Sequence, residues 1–174
     1  MERIFTLILS SILCIPPGDS MPQTKLVCPN KFQAVGRFCY HFSDDSKSWT
    51  EAREACEQLG ETGGNLNVML ATLDITGVPQ DNQDLLTVIR DTGNKYWLGG
   101  HMKDVDDKAH WKWLDNRPIH MTSGYWRDEA PTNTKDKGCS LVSTYSKDLD
   151  RKKVHTRATL TDNDCNEEFR YICH

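Results

Sequence analysis

The chain has 174 residues, a formal net charge of −4 and 37% hydrophobic residues. That length argues for one domain. The slight acidity argues against a polyanionic partner for the chain as a whole, nucleic acid included.

Met1-Glu2-Arg3 carries one basic side chain, Ile4 to Ile15 is mostly apolar, and Pro16-Pro17-Gly18-Asp19-Ser20 breaks the run. This is the order of a secretory signal peptide. The apolar run is shorter than the roughly 20 residues a spanning helix needs. The reading is a signal peptide over 1–20, a short N-terminal segment over 21–27, and one domain over 28–174. The mature protein is expected to be secreted and extracellular, with no membrane span. There is no Asn-x-Ser/Thr site for an N-linked glycan.

Seven cysteines become six once Cys14 leaves with the signal: Cys28, Cys39, Cys56, Cys139, Cys165 and Cys173. An even number in a secreted chain reads as a disulfide framework, although spacing alone does not select the pairing. A zinc site is disfavoured, because no Cys-x-x-Cys occurs and the six histidines are scattered.

In chain order, Phe38 to Phe42 reads as a first strand. Ser48-Trp49-Thr50-Glu51 matches a capping box and opens a helix over 49–59. Trp49, Ala52, Cys56 and Leu59 share its inner face, and Gly60 is read as its stop. Asn65 to Leu73 looks extended and mostly buried. Pro79 can sit in the first turn of a second helix, with Leu85, Leu86 and Ile89 inward and Gly93 at its end. Lys95 to Gly100 is a short strand running into a turn. His110 to Leu114 alternates, with Trp111 and Trp113 on one face. Cys139 to Thr144, Arg157 to Thr161 and Phe169 to Cys173 are later strands. Two early helices and several late strands make the class α+β.

Between Leu114 and Cys139 lies a long stretch without helical or strand period, ending Trp126-Arg127-Asp128-Glu129-Ala130-Pro131-Thr132-Asn133-Thr134-Lys135-Asp136-Lys137-Gly138-Cys139. Such loops are usually functional or disordered. If the protein recognises anything, this stretch is where it is expected to do so.

These landmarks resemble a C-type lectin-like domain of the long, secreted, single-domain form. The resemblance rests on Cys28/Cys39, on Trp49 opening the helix that carries Cys56, and on Trp97-Leu98-Gly99-Gly100. It rests also on Trp111-Lys112-Trp113-Leu114-Asp115-Asn116-Arg117-Pro118-Ile119, on Tyr125-Trp126, and on the spacing of Cys139, Cys165 and Cys173. It implies a double-loop fold with two helices, two small antiparallel sheets and three disulfides: Cys28–Cys39, Cys56–Cys173 and Cys139–Cys165. It also implies that Ala130–Pro131 is a cis bond, which X-Pro bonds tolerate.

Sugar-binding members of that family hold a calcium ion in this loop. The resemblance places its ligand positions at Ala130, Thr132, Lys137, Thr161 and Asp162. Of the family's side-chain ligands only Asp162 remains. Ala130 has no side-chain oxygen, Thr132 and Thr161 offer neutral hydroxyls, and Lys137 puts an ammonium where a carboxylate belongs. Calcium takes six to eight oxygen ligands, so no metal site is expected and calcium is a doubtful cofactor. Glu129 and Asn133 flank these positions and, with Thr132 and Asp162, form the candidate ligand-binding set.

Asp104, Asp106 and Asp107 are read as a solvated turn. The basic run of Lys147, Arg151, Lys152, Lys153 and Arg157 is read as a solvated hairpin tip between two strands, in preference to a sulfated-glycan patch. Trp97, Trp111 and Trp113 are read as core, and Trp126 as the better candidate for contact with a ligand. No catalytic constellation occurs, so the protein is not expected to be an enzyme. The reading is a lectin-like module for carbohydrate or microbial-surface recognition, consistent with innate immunity, at an atypical site. The alternative is calcium-independent binding of a protein ligand by the long loop.

Overall fold

The computed structural model describes residues 26–73, 79–105, 108–150 and 153–174. The expected signal segment lies outside those residues, as do Asp106, Asp107, Arg151 and Lys152.

The elements in order are β1 (Gln33–Val35), β2 (Phe38–Phe42), α1 (Trp49–Thr62), α2 (Pro79–Thr92), β3 (Tyr96–Val105), β4 (Lys108–Trp113), β5 (Cys139–Asp150), β6 (Lys153–Asn163) and β7 (Arg170–Cys173). The strands follow the order β1-β2-β7-β3-β5-β6, with β4 on β3. Among the described residues the named strands pair antiparallel except for a short parallel contact of β3 with β7, Tyr96 with Arg170 and Trp97 with Tyr171. That parallel contact joins the two antiparallel groups into one α+β fold.

The core divides by strand alternation, because successive side chains point to opposite faces. Tyr96, Leu98, Trp111, Trp113, Val142 and Leu160 pack with Leu85, Leu86 and Ile89 of α2. Trp97, Leu141 and Tyr171 pack on the other face with Trp49, Ala52 and Cys56 of α1. Trp97, Trp111 and Trp113 are all buried, as core residues should be.

The start of α1 follows from its local chemistry. Ser48 Oγ accepts from the Glu51 amide, and the Glu51 carboxylate accepts from the Ser48 amide at 3.1 Å. The end differs from expectation. Gly60 does not stop the helix, which continues to Thr62. Gly60 is instead where the chain after the helix folds back. Leu66 N–H donates to its carbonyl, and a Cβ there would lie 2.3 Å from the Leu66 carbonyl oxygen. The helix is therefore longer than its glycine suggests, because packing space and not a stop signal put glycine there. Gly93, at φ 66°, does end α2.

Three disulfides tie the fold: Cys28–Cys39, Cys56–Cys173 and Cys139–Cys165. The second links α1 to β7 across 117 positions. The third ties the start of β5 to the turn before β7, where the long loop ends.

Asn65 to Leu73 is not a regular strand. It is held by one bridge, Leu70 with Cys173, and by Met69–His174 and Ala71–Ile172 backbone bonds. Leu70, Ala71 and Leu73 are buried, but the neighbouring β7 is too short to pair with more of the segment. β3 runs to Val105 and does not turn at Gly100, because β4 pairs with its second half from Gly100 to Val105. The β5–β6 ladder also runs on, pairing Lys147 with His155 and Asp150 with Lys153. Lys147, Lys153 and Arg157 thus belong to strands and not to a tip between them, since cross-strand backbone bonding overrides the polar composition.

Candidate functional site

The long loop, 114–138, contains no strand but is bonded along its length. Ile119 N–H donates to the Trp111 carbonyl, and Arg117 donates to both Asp115 and Thr72. Its middle runs beside β6: Arg127 N–H donates to the Leu160 carbonyl at 2.9 Å, and Leu160 N–H to the Tyr125 carbonyl at 2.7 Å. These bonds hold Trp126 inward. It is 5% exposed and packs edge-on against Trp111 at 5.0 Å between ring centres. Trp126 is therefore core and not a ligand contact, because two backbone bonds pin its flanks to β6, the last strand of the sheet order.

Beyond Trp126 the chain turns outward. Ala130 N–H donates to the Arg127 carbonyl, the Ala130–Pro131 bond is cis, and Glu129 and Asn133 have φ of 68° and 58°. These turns place Thr132 over the end of β6. The Thr132 amide donates to Asp162 Oδ2 at 2.8 Å, and the Thr132 hydroxyl donates to the same oxygen. Asp162 is a buried carboxylate, 7% exposed. Burial of an ionised carboxylate demands such donors.

Glu129, Ala130, Thr132, Lys137, Thr161 and Asp162 all line one open groove of about 860 Å³. The fold thus brings together residues spread over more than thirty positions. Asn133 is not among them. Its Oδ1 accepts from the Trp111 indole N–H at 2.9 Å, so its carbonyl is turned to the core. The rest of the groove was not foreseen. Lys95, Arg127, Asp128, Tyr145, Glu167 and Phe169 also line it. Arg127 lies 5.6 Å from the Tyr145 ring centre, and Lys95 lies 5.5 Å from that of Phe169. Arg157 reaches Asp128 at 4.0 Å. The groove is mixed in charge, with cations held against aromatic rings.

The Lectin C-type domain family model matches residues 45–174. The chain belongs to that family. Human C-type lectin domain family 17, member A is 27% identical over 119 residues, covering 68% of this chain. This chain spans only 28% of that relative's length. Among solved structures, the C-type lectin domain of murine dendritic cell inhibitory receptor 2, in complex with N-glycan, has a TM-score of 0.60 at 22% identity. It covers 84% of this chain and 97% of that one. A calcium-independent type II antifreeze protein has a TM-score of 0.59 at 20% identity, covering 87% and 95%. A C-type lectin domain is a binding module, and no helix among the described residues is long and apolar enough to cross a membrane.

Calcium, which members of this family often hold, can be tested against these donors. Asp162 Oδ2 already accepts two hydrogen bonds from Thr132. Lys137 lines the same groove and brings a positive charge. Among the described residues no three acidic or imidazole side chains converge. A hard divalent cation needs several oxygens with net negative charge. These donors do not fit it.

Proposed function

We propose that the chain is a secreted C-type lectin-like module that recognises carbohydrate, on microbial or other extracellular surfaces, without a calcium clamp. On this reading residues 1–20 are removed and residues 28–174 form the recognition domain. The observation that carries the reading is the Thr132–Asp162 pair. A hydroxyl and an amide occupy one oxygen of the carboxylate that a metal would need, inside a groove lined by further polar groups and by Tyr145 and Phe169. Glu129, Thr132 and Asp162 supply hydrogen-bonding groups to sugar hydroxyls. Asn133, outside the groove but exposed beside Thr132, has its carbonyl engaged by Trp111 and keeps its amide N–H groups for a ligand that reaches past the groove. An innate-immune role follows from that class of ligand.

A second reading is calcium-independent binding of a protein by the loop tip. It is favoured by the exposure of Thr132 to Asp136 in a row. Calorimetric titration with calcium, followed by a glycan array with and without chelator, separates these. The proposal expects no saturable calcium heat and chelator-insensitive glycan binding. Chelator-sensitive sugar binding would overturn the calcium-independent site. A protein partner recovered by pull-down, with no glycan bound, would replace carbohydrate by the second reading.

A further inference from the structure

Along β3 and β4 the register pairs His101 with Lys112 and Lys103 with His110. Paired residues share a face, and so do residues two apart on a strand. His101, Lys103, His110 and Lys112 therefore form a two-by-two array on one face of the hairpin. The other face carries Met102, Trp111 and Trp113. Trp49 of α1 packs beside the array, 5.8 Å from the His101 ring. Arg53, one turn further along α1 and ion-paired with Glu57 at 3.0 Å, adds its charge to those of Lys103 and Lys112 acting on His101. Lys103, His110 and Arg53 are exposed, and Lys112 and His101 are half-buried.

Each cross-strand pair joins a histidine to a lysine, so the two lysines lie on a diagonal of the array. An edge strand can be kept from pairing with other chains by one or two charges of either sign. Protecting β4 therefore does not require basic groups in every position of the array. A chain of net charge −4 has acidic residues to place there. His101 Nδ1 is also buried with no hydrogen-bond partner among the described residues.

We propose that this face is a second binding surface, taking a sulfated polysaccharide. An array set on an open strand surface suits a chain of anionic groups better than a single enclosed anion. Trp49 is only 8% exposed and offers no ring face for a base to stack on, which disfavours single-stranded nucleic acid. Three disulfides place the folded chain in an oxidising compartment, where sulfated polysaccharides are available. The surface shares no residue with the loop groove, so it is independent of the function proposed for that groove.

The test is retention of the full folded chain on immobilised heparin across a salt series, with K103Q/K112Q as the variant. Each lost ionic contact lowers the slope of log affinity against log salt by roughly 1. The double variant should lose about tenfold or more in affinity and roughly 1–2 in slope, with unchanged far-ultraviolet circular dichroism. R53Q should add a further loss. T132A should bind heparin like the parent chain. Unchanged binding by K103Q/K112Q would overturn the proposal. So would loss of binding only when Arg151, Lys152 and Lys153 are replaced, or binding to phosphatidylserine vesicles with none to heparin.

Discussion

Thr132 gives both its backbone N–H and its hydroxyl to one oxygen of Asp162, thirty positions away. This joins the outer end of the long loop to the end of β6. A hydrogen bond to a charged group contributes about 1.5–3 kcal/mol. Thr132→Ala removes one of the two, and Thr132→Ser keeps both donors. Urea unfolding should show the Ala variant less stable by about 1–2 kcal/mol and the Ser variant close to the parent. Equal losses for both would mean that the methyl group, and not the hydroxyl, holds the loop.

Asn133 accepts from the Trp111 indole N–H. Asn133→Ala leaves that buried donor unpaired, a loss of about 1–3 kcal/mol. Thermal unfolding should therefore register this change as a lower melting temperature.

The Cys56–Cys173 and Cys28–Cys39 bridges close loops of very different length, 117 and 11 positions. The chain-entropy account assigns about 5 kcal/mol to the first and about 3 to the second. Paired Cys→Ala variants should lose stability in that order. Loss of the first bridge should cost the most, because it is the covalent tie between α1 and β7 and leaves only their packing, Trp49 and Ala52 with Tyr171.

Gly60→Ala should destabilise, although alanine favours a helix over glycine by about 1 kcal/mol. The added methyl meets the Leu66 carbonyl and the Val68 side chain, at 2.3 and 3.1 Å. Forcing such overlap costs about 1–3 kcal/mol. A rise in melting temperature would show that the turn after α1 yields easily.

Burial holds the His101 imidazole below its usual value, helped by the positive charges of Arg53, Lys112 and Lys103 and opposed by the Gly99 backbone. Burial also lowers His174, which packs against Phe38 and Tyr40. For both, the unfolded chain takes up protons first as pH falls. Their contribution is intact above the usual histidine value near 6.5 and is lost as pH drops below it towards the folded values. Denaturation midpoints should fall between pH 7.5 and 5.5, and His101→Gln should flatten part of that slope.

Sequence by itself determined the α+β class, both helix positions and the aromatic core. Those signals are local: a capping box at Ser48 and Glu51, helical spacing behind Trp49, and alternation at Trp111 and Trp113. The order of tryptophans and cysteines carried the family resemblance. Tertiary structure decided the rest. The extent of β3, β5 and β6 depends on a partner strand, which no local pattern encodes. Gly60 reads as a stop in one dimension and proves to be a close contact in three. Trp126 and Asn133 lie in a polar loop, yet backbone bonds to Leu160 bury Trp126, and the side chain of the exposed Asn133 accepts from the Trp111 indole N–H. Thr132 and Asp162 are unremarkable apart. Only the fold makes a pair of them, because the cost of burying a carboxylate is met by donors from a distant part of the chain.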